Sequence, residues 1–107
     1  MAVFAGIINL FEVIDMEFQH EKERIFAQDE NGRLIAEVTF PTADGVATID
    51  HTFVDDSLRG QGVAGQLLQA AIEQLRADGV RIRPTCSYAV KWFDGHPESG
   101  NLLWKRG

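Results

Sequence analysis

The chain has 107 residues, the length of one domain. At that size folding buries roughly two-thirds of the surface the unfolded chain exposes, enough for one modest core. With 45% hydrophobic and 24% charged residues it is too apolar to be disordered, and its net charge of −6 excludes a dedicated binder of nucleic acid or of an anionic membrane.

The charge is unevenly placed. Residues 1–58 hold 3 basic and 12 acidic side chains, a net of −9, whereas residues 59–107 hold 7 basic and 4 acidic, a net of +3. An anionic ligand therefore belongs to the second half. Cys86 is the only cysteine, so no intrachain disulfide can form, which fits a reducing compartment and a cytoplasmic location. No apolar run approaches the ~20 residues of a membrane-spanning helix.

Residues 1–15 are apolar but lack a basic leader and a small-residue cleavage site, and read as an extension outside the core fold, with the domain spanning 16–107. Residues 22–28 predict a strand, and Asp29-Glu30-Asn31-Gly32 a hairpin turn. The return strand, 33–40, places Leu34, Ala36, Val38 and Phe40 on one face and Ile35, Glu37 and Thr39 on the other. After a turn at Pro41–Gly45, residues 46–54 alternate again, with Ala47, Ile49, His51 and Phe53 together. The pattern predicts an antiparallel meander with its strands in sequential order.

The period changes beyond Asp55-Asp56-Ser57. From Val63 the apolar positions Leu67, Leu68, Ala71, Ile72 and Leu75 recur every three or four residues, predicting an amphipathic helix over 63–77 that Gly79 caps in the left-handed conformation. A short strand at 80–85 follows, with Pro84 at its edge or end. Residues 87–94 predict a second short helix, closed by Gly95-His96-Pro97, and the apolar 101–104 packs back. The fold class is α/β of the mixed, α+β kind: a mainly antiparallel sheet, one long helix and one short one.

The most informative segment is Arg59-Gly60-Gln61-Gly62-Val63-Ala64-Gly65, between a strand and the long helix. Its glycines permit close backbone approach, and free N–H groups at a helix start attract anions. Gly60, Gly62 and Gly65 match the dinucleotide fingerprint G-x-G-x-x-G, but the context is wrong for it. The surrounding strands are antiparallel, no acidic residue closes the next strand, and 107 residues leave no room for a doubly wound sheet.

Arg59, Gly62 and Ala64 instead fit Arg/Gln-x-x-Gly-x-Gly/Ala, the pyrophosphate loop of the GNAT N-acetyltransferases. Together with His51-Thr52-Phe53-Val54, Cys86-Ser87-Tyr88, Trp92 and His96-Pro97-Glu98, the chain from about residue 17 to 104 resembles the small, single-domain GNAT-like subfamily of the YjdJ type. The resemblance implies a compact GNAT fold that uses acetyl-CoA as acetyl donor. Thr52, Phe53 and Val54 would pair with the pantetheine amides. The backbone of Gly60, Gln61, Gly62, Val63, Ala64 and Gly65 would hold the pyrophosphate with help from Arg59. It also implies that Cys86 lies near the thioester and takes part in transfer, and that Tyr88 protonates the departing thiolate.

The chemistry of these residues is compatible with those roles. A lone cysteine is commonly a small buried hydrophobe, but Cys86 precedes a helix and has Arg81 and Arg83 nearby in sequence, features that favour a thiolate. Its proposed task is to accept the acetyl group and yield it to an amine; direct attack by the amine is the alternative. His51, with an ordinary pKa near neutrality, is a candidate general base, although strand histidines are often structural. His96 braces the end of the second helix, Trp92 and Trp104 are core or pocket wall, and the acidic Glu17, Glu21, Glu23, Asp29 and Glu30 form a solvated face able to attract a cationic acceptor.

Three scattered histidines and one cysteine make no metal site, and the serines lack a nucleophile-elbow setting. The expected function is acetyl-CoA-dependent N-acetylation of an amine, small molecule or protein, by a monomer or weak dimer. The alternative is a CoA- or acyl-CoA-binding interaction module with little turnover. Only turns join the first strands, so the acceptor side should be shallow and open.

Overall fold

The computed structural model describes residues 17–105; the apolar extension expected at 1–15 lies outside them. The elements run β1 (Gln19–Glu21), β2 (Arg24–Gln28), β3 (Leu34–Thr39), β4 (Thr42–Ala43), β5 (Val46–Ile49), β6 (His51–Val54), α1 (Val63–Asp78), β7 (Arg81–Pro84) and α2 (Ser87–Asp94), with 3-10 turns at Asp56–Leu58 and Pro97–Leu102. This is an α+β fold with antiparallel pairing dominant.

The sequential meander is corrected. What reads as one strand over 46–54 breaks at Asp50 into β5 and β6, which belong to different sheets. One sheet has the order β1-β2-β3-β6, all antiparallel. The other has the order β4-β5-β7, in which β5 and β7 run parallel. The break also inverts the expected facing: Ala47 and Ile49 are buried, whereas His51 and Phe53 are exposed. Two local patterns of alternation abut there, and their joint phase carries no sign of the bend.

Elsewhere the sequence reading holds closely. Ala36, Val38 and Phe40 are fully buried, as the alternation of β3 requires. α1 extends one residue past its expected end and buries Val63, Leu67, Leu68, Ala71, Ile72 and Leu75 on one stripe. Each of these valine, leucine and isoleucine side chains contributes about 1.5–3 kcal/mol by leaving water, and Ala71 less. Gly79 ends α1 with φ 73°, where a side chain would be strained. Pro84 ends β7, and the tail returns so that the Trp104 N–H donates to the Ile82 carbonyl at 2.7 Å.

β1 was not expected, because Gln19–Glu21 is exposed and polar throughout. The Pro41–Gly45 turn contains β4 and narrows to Asp44-Gly45, where both residues have positive φ, 54° and 77°. The acidic face is only partly solvated. Glu23 accepts the Thr42 N–H at 2.9 Å and Asp29 caps the β2–β3 loop through the N–H groups of Asn31 and Arg33.

Candidate active site

The break at Asp50 builds the site. β5 and β7 stay together as far as Ile49, whose carbonyl accepts the N–H groups of Thr85 (3.0 Å) and Cys86 (3.3 Å). Beyond that carbonyl the chains part: β6 stays on β3, while Cys86 leads into α2. The result is a splay between β6 and the start of α2.

The pairing of β6 fixes which groups face the splay. Asp55 donates its N–H to the Ile35 carbonyl at 2.8 Å, and Phe53 lies opposite Glu37, so the main chains of Phe53 and Asp55 are used by β3. By alternation the N–H and C=O groups of Thr52 and Val54 point the other way, along the free edge of the sheet. Of the three strand residues expected to meet a ligand, Thr52 and Val54 thus present open main-chain groups and Phe53 does not.

Cys86 is the N-cap of α2, yet its thiol makes no cap bond. The Sγ lies 3.3 Å from Thr52 Oγ1, across the splay. Arg81 and Arg83, expected to favour a thiolate, are turned away by the alternation of β7, which buries Ile82 between them. Arg81 donates to the Asn101 carbonyl, and Arg83 donates to Thr48 Oγ1 and lies 5.2 Å from the centre of the Trp104 ring. The helix N-terminus remains as the positive feature beside Cys86.

At the other end of β6 the chain turns into α1. Asp55 caps the 3-10 turn through the Ser57 hydroxyl (2.6 Å) and N–H (3.1 Å), and Arg33 donates to it at 3.1 Å from the β2–β3 loop. These bonds, the Ser57 hydroxyl first, hold the Asp55 carboxyl below the usual carboxylate range, and Asp55 in turn raises Arg33. The network steers the chain into Gly60 and Gly62, both left-handed at φ 80° and 73°. Gly62 is the N-cap of α1 without any side-chain cap, and no acidic residue stands in the first turn.

The first helical bond from outside runs from Gln66 N–H to the Gly62 carbonyl, so the N–H groups of Gly62, Val63, Ala64 and Gly65 are free for an anion. Gln61, expected among them, donates instead to the Leu58 carbonyl at 3.3 Å. Arg59 is exposed and pairs with Asp56 at 3.1 Å. A cavity of 180 Å³ lies here, walled by Val54, Leu58, Gly60, Gly62, Ala64 and Tyr88. The structure therefore joins Tyr88 to the glycine loop, and two residues along β6, ~7 Å by strand rise, Thr52 reaches Cys86.

His51 stands apart from this group. Its side chain lies on the opposite face of β6 from Thr52, where Nε2 is 3.2 Å from Glu37 Oε1. Glu37 also accepts from Arg24 Nε at 2.5 Å, and Arg24 covers the Phe26 ring at 3.8 Å. Glu37 escaped the sequence reading because its diagonal relation to His51 exists only once the β3–β6 register is known. Asp55 had a signal, since Asp-x-Ser before a turn is a capping pattern. His96 does brace α2, its Nδ1–H donating to the Trp92 carbonyl at 2.7 Å. Trp92 is buried, whereas Trp104 is exposed. Among the described residues no cluster of three or more His, Cys, Asp or Glu side chains is placed to hold a metal, and no helix is long and apolar enough to cross a membrane.

A splayed sheet edge that meets an uncapped, glycine-opened helix start has the shape and the free donors to suit an elongated ligand with an anionic portion. The family follows from comparison: a family model described as GCN5-related N-acetyltransferase matches residues 24–102, and the chain belongs to that family, whose chemistry is acyl transfer from acetyl-CoA. Among solved structures it is similar to a GCN5-like candidate N-acetyltransferase from Staphylococcus aureus, with 28% identity and a TM-score of 0.69 over 86% of this chain and 91% of the other. It is also similar to a candidate phosphinothricin N-acetyltransferase, with 27% identity and a TM-score of 0.54, covering 73% of this chain but only 54% of that one. An acetyltransferase from Bacillus cereus shares the fold at 19% identity and a TM-score of 0.59, over 89% of this chain and 72% of the other. Comparison with curated proteins gave no match.

Proposed function

We propose that the chain binds acetyl-CoA in the splay and transfers the acetyl group to an amine through an acetyl-Cys86 intermediate, as a single-domain enzyme of the YjdJ type. The observation that carries this reading is the Cys86–Thr52 contact of 3.3 Å at the point where the strands part, on the edge that continues to the free N–H groups of α1. The donor set suits the ligand. The N–H groups of Gly62 to Gly65 suit a pyrophosphate, the open edge at Thr52 and Val54 suits the amides of pantetheine, and Arg59 is free to exchange Asp56 for a phosphate.

When bound, acetyl-CoA supplies the thioester. Thr52 Oγ1 holds the Cys86 sulfur on the splay side, and the N-terminus of α2 favours its thiolate. The Cys86 sulfur forms the new bond to the acetyl carbon as the bond to the donor sulfur breaks. Tyr88 gives its hydroxyl proton to the departing sulfur and is resupplied by the proton the thiol lost. The acceptor amine then forms its bond to the acetyl carbon, the Cys86 sulfur leaves, and His51 takes the excess ammonium proton from an amine approaching by the outer face of β6. Glu37, 3.2 Å from His51, orients the imidazole. A five-residue loop alone joins β2 to β3, so that outer face is uncovered by any helix between them, which suits an extended amine such as a lysine or a peptide terminus.

Intact-mass measurement after mixing with acetyl-CoA, without an amine, tests the proposal. One acetyl group should appear on the wild type and none on Cys86→Ala. CoA binding without label, together with amine acetylation by Cys86→Ala, would replace the covalent route by direct attack. Absence of CoA binding would refute the donor assignment altogether.

A further inference from the structure

The two sheets share one inner face. α1 packs against both, and Val38, Ala47, Ile49 and Ile82 join its Leu67 and Leu68 in a single core. Their opposite faces therefore form one outer surface, and charge is sorted along it. Glu37, His51 and Asp50 lie on the β6 side. Arg81 and Arg83 lie on the β7 side, exposed to either side of the buried Ile82. Among the described residues Arg24, Arg33, Arg59 and Arg76 each sit in an ion pair, whereas Arg81 and Arg83 have no carboxylate partner. They donate to neutral acceptors, Arg81 to the Asn101 carbonyl and Arg83 to the Thr48 hydroxyl at 3.0 Å. A guanidinium carries five N–H donors, so both are held in place with donors to spare.

A cavity of 370 Å³ opens beside Arg81, walled also by Asn101, Leu103, Trp104 and Lys105. Its volume falls in the ~300–1,000 Å³ range of ligand sites, and no acidic side chain lines it. The exposed Trp104 ring lies 5.2 Å from the Arg83 guanidinium, and its main-chain N–H is tied to the Ile82 carbonyl, which fixes that wall.

We propose that this row of cations receives acidic residues of the acceptor, a peptide or protein N-terminal segment whose reactive amine enters the splay. The inference rests on the acetyl-transfer reading above and names the class of its acceptor. Arg83 and Arg81 stand three and five residues before Cys86, ~10 and ~16 Å away at the rise of a strand. An extended peptide has the same rise and alternation. With its amine at Cys86, roughly its third and fifth side chains, which share a face, come opposite Arg83 and Arg81. A carboxylate there matches the guanidinium fork, and the Trp104 and Leu103 wall covers its apolar stem. The positive amine meanwhile meets Glu37 beside His51.

Steady-state acetylation of synthetic peptide amides tests this, comparing Ala-Ala-Glu-Ala-Glu with its glutamine counterpart. The acidic peptide should have a KM roughly 4- to 25-fold lower, from about 2- to 5-fold per exposed charge pair, with kcat unchanged. Added salt should shrink the difference. Arg81→Gln and Arg83→Gln should each remove one such factor for the acidic peptide and leave the glutamine peptide within twofold, which a misfolded variant would not do. A second readout needs no donor: the N-acetylated acidic peptide should shift the backbone amide resonances of Arg81, Arg83 and Trp104. Equal KM for the two peptides, a preference that survives in both variants, or no shift at these amides would overturn the acceptor assignment. Shifts at these amides in a protein that binds no acetyl-CoA would instead bring down the acetyl-transfer reading, and with it the role of the patch in acceptor choice.

Discussion

Replacing Gly65 by glutamate separates the ligand-binding role of the α1 start from its structural one. Gly65 has ordinary helical φ, and a Cβ built on it meets nothing within 4 Å, so the change brings neither strain nor clash. It occupies the third position after the N-cap Gly62, where a glutamate side chain folds back on the N-cap N–H. Loss of a helical glycine is worth about 1 kcal/mol, and an acid in the first turn adds roughly 0.3–1 kcal/mol. The variant should therefore be the more stable by ~1–2 kcal/mol, raising Tm by ~4–8 °C per kcal/mol in a domain of this size. The same carboxylate takes the Gly62 N–H from a pyrophosphate and repels it. One charge pair at about 4 Å contributes ~1–4 kcal/mol between fully aqueous and surface-like dielectrics, an affinity loss of roughly 5- to 1000-fold. Thermal denaturation followed by circular dichroism gives the first quantity and calorimetric titration with CoA the second. A stabilised variant that still binds CoA within twofold of wild type would refute the placement of the pyrophosphate.

Three further outcomes follow from the packing and the hydrogen bonds. Leu67→Ala, at a fully buried site facing the sheet, should cost about 2–5 kcal/mol in urea denaturation. The Asp55 and Asp29 carboxyls are held below their usual values, Asp55 chiefly by the Ser57 hydroxyl and Asp29 chiefly by the Arg33 N–H. Their stabilisation is present above the unfolded pKa of ~3.9 and is lost as pH falls from there through the lower folded values, so stability should fall in that window and Asp55→Asn should flatten the fall. Thr52→Val keeps the shape at 52 but removes the hydroxyl beside Cys86; it should slow acetylation of Cys86 by acetyl-CoA in a mass-resolved time course by about 2- to 10-fold, the worth of one such hydrogen bond.

The helices were legible because their signals are local. Residues 87–94 fall between an N-capping position and a glycine, and the α1 stripe repeats over four turns. The glycine-opened start of α1 was legible for the same reason, since its left-handed glycines lie within seven consecutive residues. The division of 46–54 was not, because β5 belongs to β7 and β6 to β3, pairings made across distant sequence. Cys86 and Thr52 meet across 34 positions, so the contact that places the thiol at the splay appears only in three dimensions. Sequence proximity misled at Arg81 and Arg83, where strand alternation directs both side chains to the exposed face. Nor does sequence adjacency reveal that His51, next to Thr52 in the chain, faces the other side of the sheet, beside Glu37.

That splay, absent from a continuous meander, is what turns an ordinary small sheet into a site with two free main-chain residues, a thiol and a helix N-terminus in sequence along one edge. Titration of the labelled protein with CoA, followed by the backbone amide resonances, tests this most directly. The amides of Thr52, Val54 and Gly62 to Gly65 should shift together and saturate at one concentration, while those of Phe53 and Glu37, already paired between β3 and β6, should move least. Saturable shifts confined to other elements, or none at these six amides, would contradict the account.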